Sequence, residues 1–196
     1  MSDVINKTFD NKDEWLDTVL LGLIALFVPT FLGKFINLIF QANSVITNNS
    51  QLIIGSIVNM VLIISALKIK GWKKIIGIVT MPSISTILSG YVFKSSSIYM
   101  AYMIPAIWVG NFAIIYTFKL LYLDRKYNYF LSGIIGIIIK VLIIFGAFNI
   151  LKVCGVFPSK VAFALKSAMG ITQLTTASIG MVLVYLTILL KYNFKK

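Results

Sequence analysis

Apolar residues occur along this chain in long, nearly unbroken runs separated by short polar stretches. Six runs, at residues 15–40, 52–69, 75–93, 98–121, 130–151 and 161–190, approach the roughly 20 residues that a helix needs to cross the hydrocarbon layer of a bilayer. The second and third are short for a span, and the sixth is long enough to tilt or to begin outside the bilayer. Leu, Ile and Val fill the runs without the alternation of a membrane barrel strand, and an open sheet cannot satisfy its backbone in lipid. The pattern therefore predicts an all-α integral membrane protein, with six transmembrane helices in one compact bundle over 15–190. A polar segment at 1–14 precedes the bundle and a basic tail at 191–196 follows it. With Asp3, Asp10, Asp13 and Glu14, the first segment lacks the basic start and short apolar run of a cleavable signal peptide.

Composition agrees with this class: 59% of the residues are hydrophobic, 12% are charged, and the mean hydropathy is +0.93. A soluble domain carries roughly a quarter charged residues. The net charge of +12 is distributed as punctuation between apolar runs, not gathered on one soluble face as in a nucleic-acid reader, so no nucleic-acid partner is expected. Charge instead reports topology. Twelve Lys and Arg fall in one set of alternate connections: Lys7 and Lys12; Lys68, Lys70, Lys73 and Lys74; Lys119, Arg125 and Lys126; Lys191, Lys195 and Lys196. The other set has three, Lys94, Lys152 and Lys160. The bias predicts that both termini are cytoplasmic. Trp72, Tyr122, Tyr127 and Tyr129 then fall at the inner interface, where amphipathic rings serve as anchors. A single cysteine, Cys154, and no histidine leave no intrachain disulfide and remove the commonest metal ligand and general base. No metal site or cofactor is expected.

The residues with chemistry are the polar ones inside the runs. A lysine at mid-membrane costs about 2.5–3.5 kcal/mol on insertion scales, and so faces protein or water and marks function. Lys34, Lys140 and Lys166 fall within the predicted spans, and no carboxylate lies at comparable depth. Two readings stay open for Lys34 and Lys166, ligand contact or snorkelling to the headgroups; Lys140, at the middle of its run, is the candidate for an interior role. The amides Asn59, Asn111 and Gln173 lie near helix centres, and Asn37 and Asn149 in outer halves. The inner halves hold none away from their lips, which predicts a polar cavity open outward above an apolar plug. Helix-to-helix hydrogen bonding is the bland alternative for each amide. Lys166, Gly170 and Gln173 share a face at i, i+4 and i+7, and Trp108 and Asn111 share another. Pro29, Pro82 and Pro105 interrupt three helices. Small residues four apart, Ser132 with Gly136, Ala164 with Ala168, and Thr176 with Gly180, allow close packing.

This layout resembles the substrate-binding S component of energy-coupling-factor (ECF) micronutrient transporters. The local pattern that carries the resemblance is Pro105 followed by Gly110-Asn111, then Gly133 and Gly136 ahead of Lys140, then Gln173-Leu174, Thr176-Ala177 and Gly180. One departure is that Ala25 is followed four positions later by Pro29, where S components often repeat alanine to dock the T component. The resemblance implies a multi-pass protein of the bacterial cytoplasmic membrane. It would capture a small, acidic vitamin or cofactor precursor from outside and deliver it with a T component and two ATPase subunits. The chain has no P-loop of its own. Trp108, Asn111, Lys140, Lys166 and Gln173 are the expected substrate contacts, with Trp108 as a stacking wall. A non-catalytic scaffold or assembly subunit is the alternative. An intramembrane enzyme is disfavoured, because the runs lack paired carboxylates and metal-binding sets.

Overall fold

The computed structural model describes residues 14–40, 49–89 and 97–193; the expectations placed on 1–13, 41–48, 90–96 and 194–196 lie outside the described residues. Every element among the described residues is helical. In chain order these are α1 (Glu14–Ile39), α2 (Ser50–Lys68), α3 (Trp72–Ser89), the single turn α4 (Ser97–Met100), α5 (Ile104–Phe118), α6 (Tyr129–Val153), α7 (Ser159–Met169) and α8 (Ile171–Asn193). A 3-10 turn, Ala101–Met103, leads into α5, and a π-helical stretch, Lys119–Asp124, continues from it.

Among the described residues five stretches are long and apolar enough to cross a membrane: Glu14–Ile39, Ser50–Lys68, Ile98–Asp124, Tyr129–Val153 and Ser159–Asn193. The third expected run, 75–93, is described only as far as Ser89: the first turn of helix α3 holds Lys73 and Lys74, ahead of that run, and the last four residues of the run lie outside the described residues. The chain is thus an all-helical protein with the build of a multi-pass membrane protein. Its apolar surface fits that medium: the most apolar window of α6 has a mean hydropathy of 2.6, yet only 28% of it is buried. Ile134, Ile138, Leu142 and Ile150 form its outward stripe, which needs no protein partner in hydrocarbon, because a helix satisfies its own backbone.

Local chemistry sets the helix boundaries. The Asn128 side chain accepts a hydrogen bond from the Phe130 N–H at 2.8 Å and opens α6. The same helix closes on Gly155, whose φ of +74° suits glycine. There the Val156 N–H bonds the Leu151 carbonyl at 3.1 Å and the Gly155 N–H bonds the Lys152 carbonyl at 3.1 Å, the two bonds of a Schellman motif. Pro105 differs from expectation: it occupies the first turn of α5, where proline starts a helix rather than interrupting one. Pro29 and Pro82 are inside α1 and α3. The predicted sixth run is divided in two at Gly170.

Helix α8 packs chiefly on α2, α5 on α6, and α1 on α3 and α2. Small residues permit the close crossings. A methyl group at Gly180 would stand 2.8 Å from Asn59 Cβ, 2.8 Å from the Met60 nitrogen and 2.9 Å from the Ser56 oxygen. One at Gly110 would stand 2.8 Å from Ile144. Ser132 with Gly136 and Thr176 with Gly180 are buried pairs, whereas Ala164 faces outward and leaves Ala168 to pack alone. Ala25 and Pro29 are both buried, so they form no outer docking face of α1.

The bundle has two differing ends. At the hairpin end, where α2 turns into α3, buried Ile63, Ile75, Ile114, Phe118, Val184 and Ile188 belong to one apolar core. Tyr122 and Tyr129 are 5% and 2% exposed. They are core residues of an aromatic cluster with Phe118, not the interfacial anchors expected of them. At the opposite end, Met100, Met103, Phe148, Phe157 and Leu165 form a second, smaller core.

Candidate functional site

Between these cores lies a cavity of about 80 Å³. One water needs roughly 10–15 Å³, so there is room for several waters or a compact solute. Its walls come from five long helices: Gln51 to Asn59 on α2, Pro82 to Ile87 on α3, Ile104 to Asn111 on α5, Lys140 on α6, and Gln173 and Thr176 on α8. Met100 of α4 completes it. All these residues belong to the half of the bundle away from the α2–α3 hairpin.

Lys140 is the centre of the site. It is 2% exposed, and its Nζ donates to Asn59 Oδ1 at 2.6 Å. Neither ion pair among the described residues includes it; those pairs are Lys68 with Asp17 and Lys74 with Glu14, at the hairpin end. A buried ammonium that has an amide oxygen but no carboxylate carries a desolvation cost that one neutral acceptor offsets only in part. The unmatched positive charge makes the cavity a place where an anion is favoured.

Asn59 holds the Lys140 ammonium, and both hydrogens of its own amide nitrogen are engaged. Its Nδ2 donates to the Gly55 carbonyl at 2.8 Å and to Thr176 Oγ1 at 3.2 Å. Thr176 Oγ1 in turn donates to the Gln173 carbonyl at 3.2 Å. A continuous polar chain therefore runs from α6 through α2 to α8. The close crossing at Gly55 and Gly180 brings Asn59 and Thr176 within reach of each other: a methyl at Gly55 would meet Thr176 at 2.9 Å.

The remaining polar groups leave valences directed at the cavity. Asn111 Nδ2 donates to the Val79 carbonyl at 3.4 Å and Gln51 Nε2 to the Ala168 carbonyl at 3.4 Å, so each amide oxygen is uncommitted by those bonds. Ser83, 7% exposed, has a buried hydroxyl oxygen without a hydrogen-bond partner among the described residues. It follows Pro82, which lacks an N–H and cannot complete the α3 ladder to Ile78. An orphaned hydroxyl beside an opened helix turn costs free energy unless something fills the space.

Of the five expected contacts, Asn111, Lys140 and Gln173 line this one cavity. Trp108 and Lys166 do not. Trp108 packs against the larger apolar core and its indole N–H is buried without a partner among the described residues, so it forms no stacking wall. Lys166 is exposed on α7, in a separate open groove with Val141, Phe145 and Phe163. The i, i+4, i+7 relation to Gln173 holds only along a continuous helix, and the break at Gly170 removes it. Lys34 is likewise exposed, among the outward apolar residues of α1. Asn37 and Asn149 spend their amides on the Gly33 and Phe145 carbonyls of their own helices. The residues that reading the spans left out of the site are Asn59, Thr176, Ser83 and Gln51. Mid-helix depth pointed to Asn59; the proline before Ser83 was the available signal for that residue.

No protein-family model, curated protein or solved structure matches the chain.

Proposed function

We propose that this chain is the substrate-capture subunit of an ECF-type importer, holding a small anion against Lys140 in the interhelical cavity. The carrying observation is a fully enclosed lysine in a cavity, hydrogen-bonded to an amide and unmatched by any carboxylate among the described residues. In this reading α3 is the sixth membrane crossing, its hydroxyls tolerated because Ser83 and Thr86 line the cavity and Ser85 bonds Thr30 of α1. Both termini are cytoplasmic, as the lysine distribution favours, in a bacterial cytoplasmic membrane. The hairpin end is then the inner side and the cavity belongs to the outer half. Energy comes from a T component and two ATPases, since the chain carries no phosphate-binding loop.

Mass spectrometry of small molecules retained by the gently purified protein tests the capture reading. A recurring acidic metabolite is expected, and a reproducibly empty protein would remove that reading. Co-purification of T and ATPase subunits from native membranes tests the partnership. For orientation, the exposed Cys154 should react with an impermeant thiol reagent on intact cells. Trp72→Cys in a Cys154→Ser background should not; the reverse pattern would invert the topology. A second reading, a scaffold with no ligand, draws on the Lys140–Asn59–Thr176 chain, which ties three helices together whether or not anything is bound. In that case no solute is retained and loss of Lys140 damages only folding.

A further inference from the structure

The cavity wall separates ligand chemistries by what it contains and by what it omits. The chain is 13% aromatic, and aromatic groups cluster densely elsewhere, around Trp72, Phe112 and Tyr116 and around Tyr129 and Tyr185. Among the described residues no aromatic side chain lines the cavity; Ile54, Val58, Ile87, Ile104 and Ile107 supply its apolar surface. A flat heterocycle is best complemented by a stacking or edge-on ring contact at its π-face, and the cavity presents none among the described residues. Branched aliphatic walls instead complement a saturated, branched body by shape and dispersion. The ammonium of Lys140 supplies charge on one side, from α6. The orphaned hydroxyl of Ser83 and the free oxygen of Asn111 face the same space from α3 and α5. These two groups fit a neutral donor–acceptor group on the ligand, separate from its charge.

We infer that the cavity is a site for a compact, non-aromatic carboxylate with a branched aliphatic body and a hydroxyl or amide: carboxylate on Lys140, polar group on Ser83 and Asn111. This deepens the capture reading above and rests on it. The carboxylate accepts from Nζ while Asn59 Oδ1 retains one of the three ammonium hydrogens, so the polar chain to α8 need not break on binding. The ligand hydroxyl or amide donates to the Asn111 oxygen and accepts from the Ser83 hydroxyl, which gives that hydroxyl its missing partner.

The test is calorimetric titration of the purified full chain in detergent. The probes are a branched aliphatic hydroxycarboxylate, the same acid without its hydroxyl, its primary amide, an aromatic carboxylate of similar size, and inorganic phosphate. The hydroxycarboxylate should bind best. The uncharged amide should bind at least about tenfold more weakly and the deoxy acid about tenfold more weakly, each the scale of one lost hydrogen bond or charge-assisted contact. Aromatic acid and phosphate should give no saturable heat. Ser83→Ala should lower affinity for the hydroxycarboxylate to the level of the deoxy acid and leave the deoxy acid unchanged. That pattern cannot arise from general damage to the fold, and the ligand series on the unaltered chain stands even if the variant fails to fold. Equal or tighter binding of the aromatic acid or phosphate overturns this ligand class while leaving anion capture intact. Absence of binding by every probe, with an empty purified protein, overturns both.

Discussion

The two ends of the bundle treat charge in opposite ways. At the hairpin end both acidic side chains of α1 are engaged within the chain. Glu14 accepts from the Lys70 and Gly71 N–H groups at 2.9 and 3.1 Å, and Asp17 pairs with Lys68 at 2.5 Å. Lys119 donates to the Ile69 carbonyl and lies 5.4 Å from the Trp72 ring centroid, and Lys74 lies 4.5 Å from that of Trp15. These contacts lock α1 and the π-helical stretch after α5 to the α2–α3 turn, beside a core of aliphatic and aromatic groups. In the cavity half, Lys140 is more deeply buried than any of these cations and yet has a single neutral acceptor. The carboxylates at the hairpin end are paired with cations of the chain and sit near its edge; the ammonium at the cavity has one neutral amide acceptor and no carboxylate among the described residues. That difference supports the cavity as the proposed binding site and the hairpin end as its foundation.

The sharpest way to break this distinction is Lys140→Met, which keeps the length and removes the cation. Leaving an anion unpaired in a buried site costs roughly 2–5 kcal/mol, or tens to thousands of times in affinity. The ligand-free protein should become more stable, because an uncompensated ammonium in hydrocarbon costs about 2.5–3.5 kcal/mol and the Asn59 oxygen left behind about 1–3. Ligand titration and thermal unfolding of the empty protein read both quantities on one variant. Lost stability with unchanged affinity would move Lys140 from the site into the scaffold.

Next in size is Gly180→Ala. The methyl would meet the Met60 nitrogen and the Ser56 oxygen below 3.0 Å, and those backbone atoms cannot swing aside as a flexible side chain would. Helices α2 and α8 must separate, at a cost of roughly 1–3 kcal/mol, and Asn59 must draw away from Thr176. Thermal stability and affinity should fall together. Gly146→Ala is the control, since nothing lies within 4 Å of the added methyl; it should leave both unchanged or slightly raise stability, as alanine favours a helix interior.

At the hairpin end, Asp17→Asn should cost at most about 1 kcal/mol, because both partners are partly exposed and such pairs are screened. The loss should shrink at high salt and ligand affinity should not move. A strong affinity defect would mean that the two ends are coupled more tightly than their separate cores imply.

Run length made the helical class legible, because it follows directly from the thickness of a bilayer. Lys140 was legible as a candidate site residue by its depth, since a mid-run lysine is costly. What could not be read was rotation about each helix axis. Trp108 and Asn111 share a face by spacing, yet Asn111 reaches the cavity while Trp108 turns into the core; three residues on a helix are some 300°, and packing decides which side of that arc faces inward. Asn59 was visible by depth but not as the partner of Lys140, since a contact between residues 81 positions apart arises only from the fold. Ser83 escaped because hydroxyls are common in membrane helices, and only its missing partner distinguishes it.

The smallest expected effect is the most discriminating about α7 and α8. Lys166 and Lys140 both come from apolar runs and both lack an ion-pair partner among the described residues, so charge alone does not rank them. Geometry does: Lys166 is exposed and reaches an open groove, and the break at Gly170 separates its direction from that of Gln173. A methyl at Gly170 would stand 3.2 Å from the Lys166 carbonyl and 3.2 Å from Phe145, so the break lies close against α6. Lys166→Met should therefore change affinity by less than about twofold, or about 0.4 kcal/mol, in the same titration that shows the large loss at Lys140. A defect comparable to that of Lys140→Met would require α7 and α8 to join into one straight helix when ligand is bound, returning Lys166 to the face of Gln173. Gly170→Ala would then distinguish the two states, strengthening binding if the bound form is straight and leaving it unchanged if the break persists.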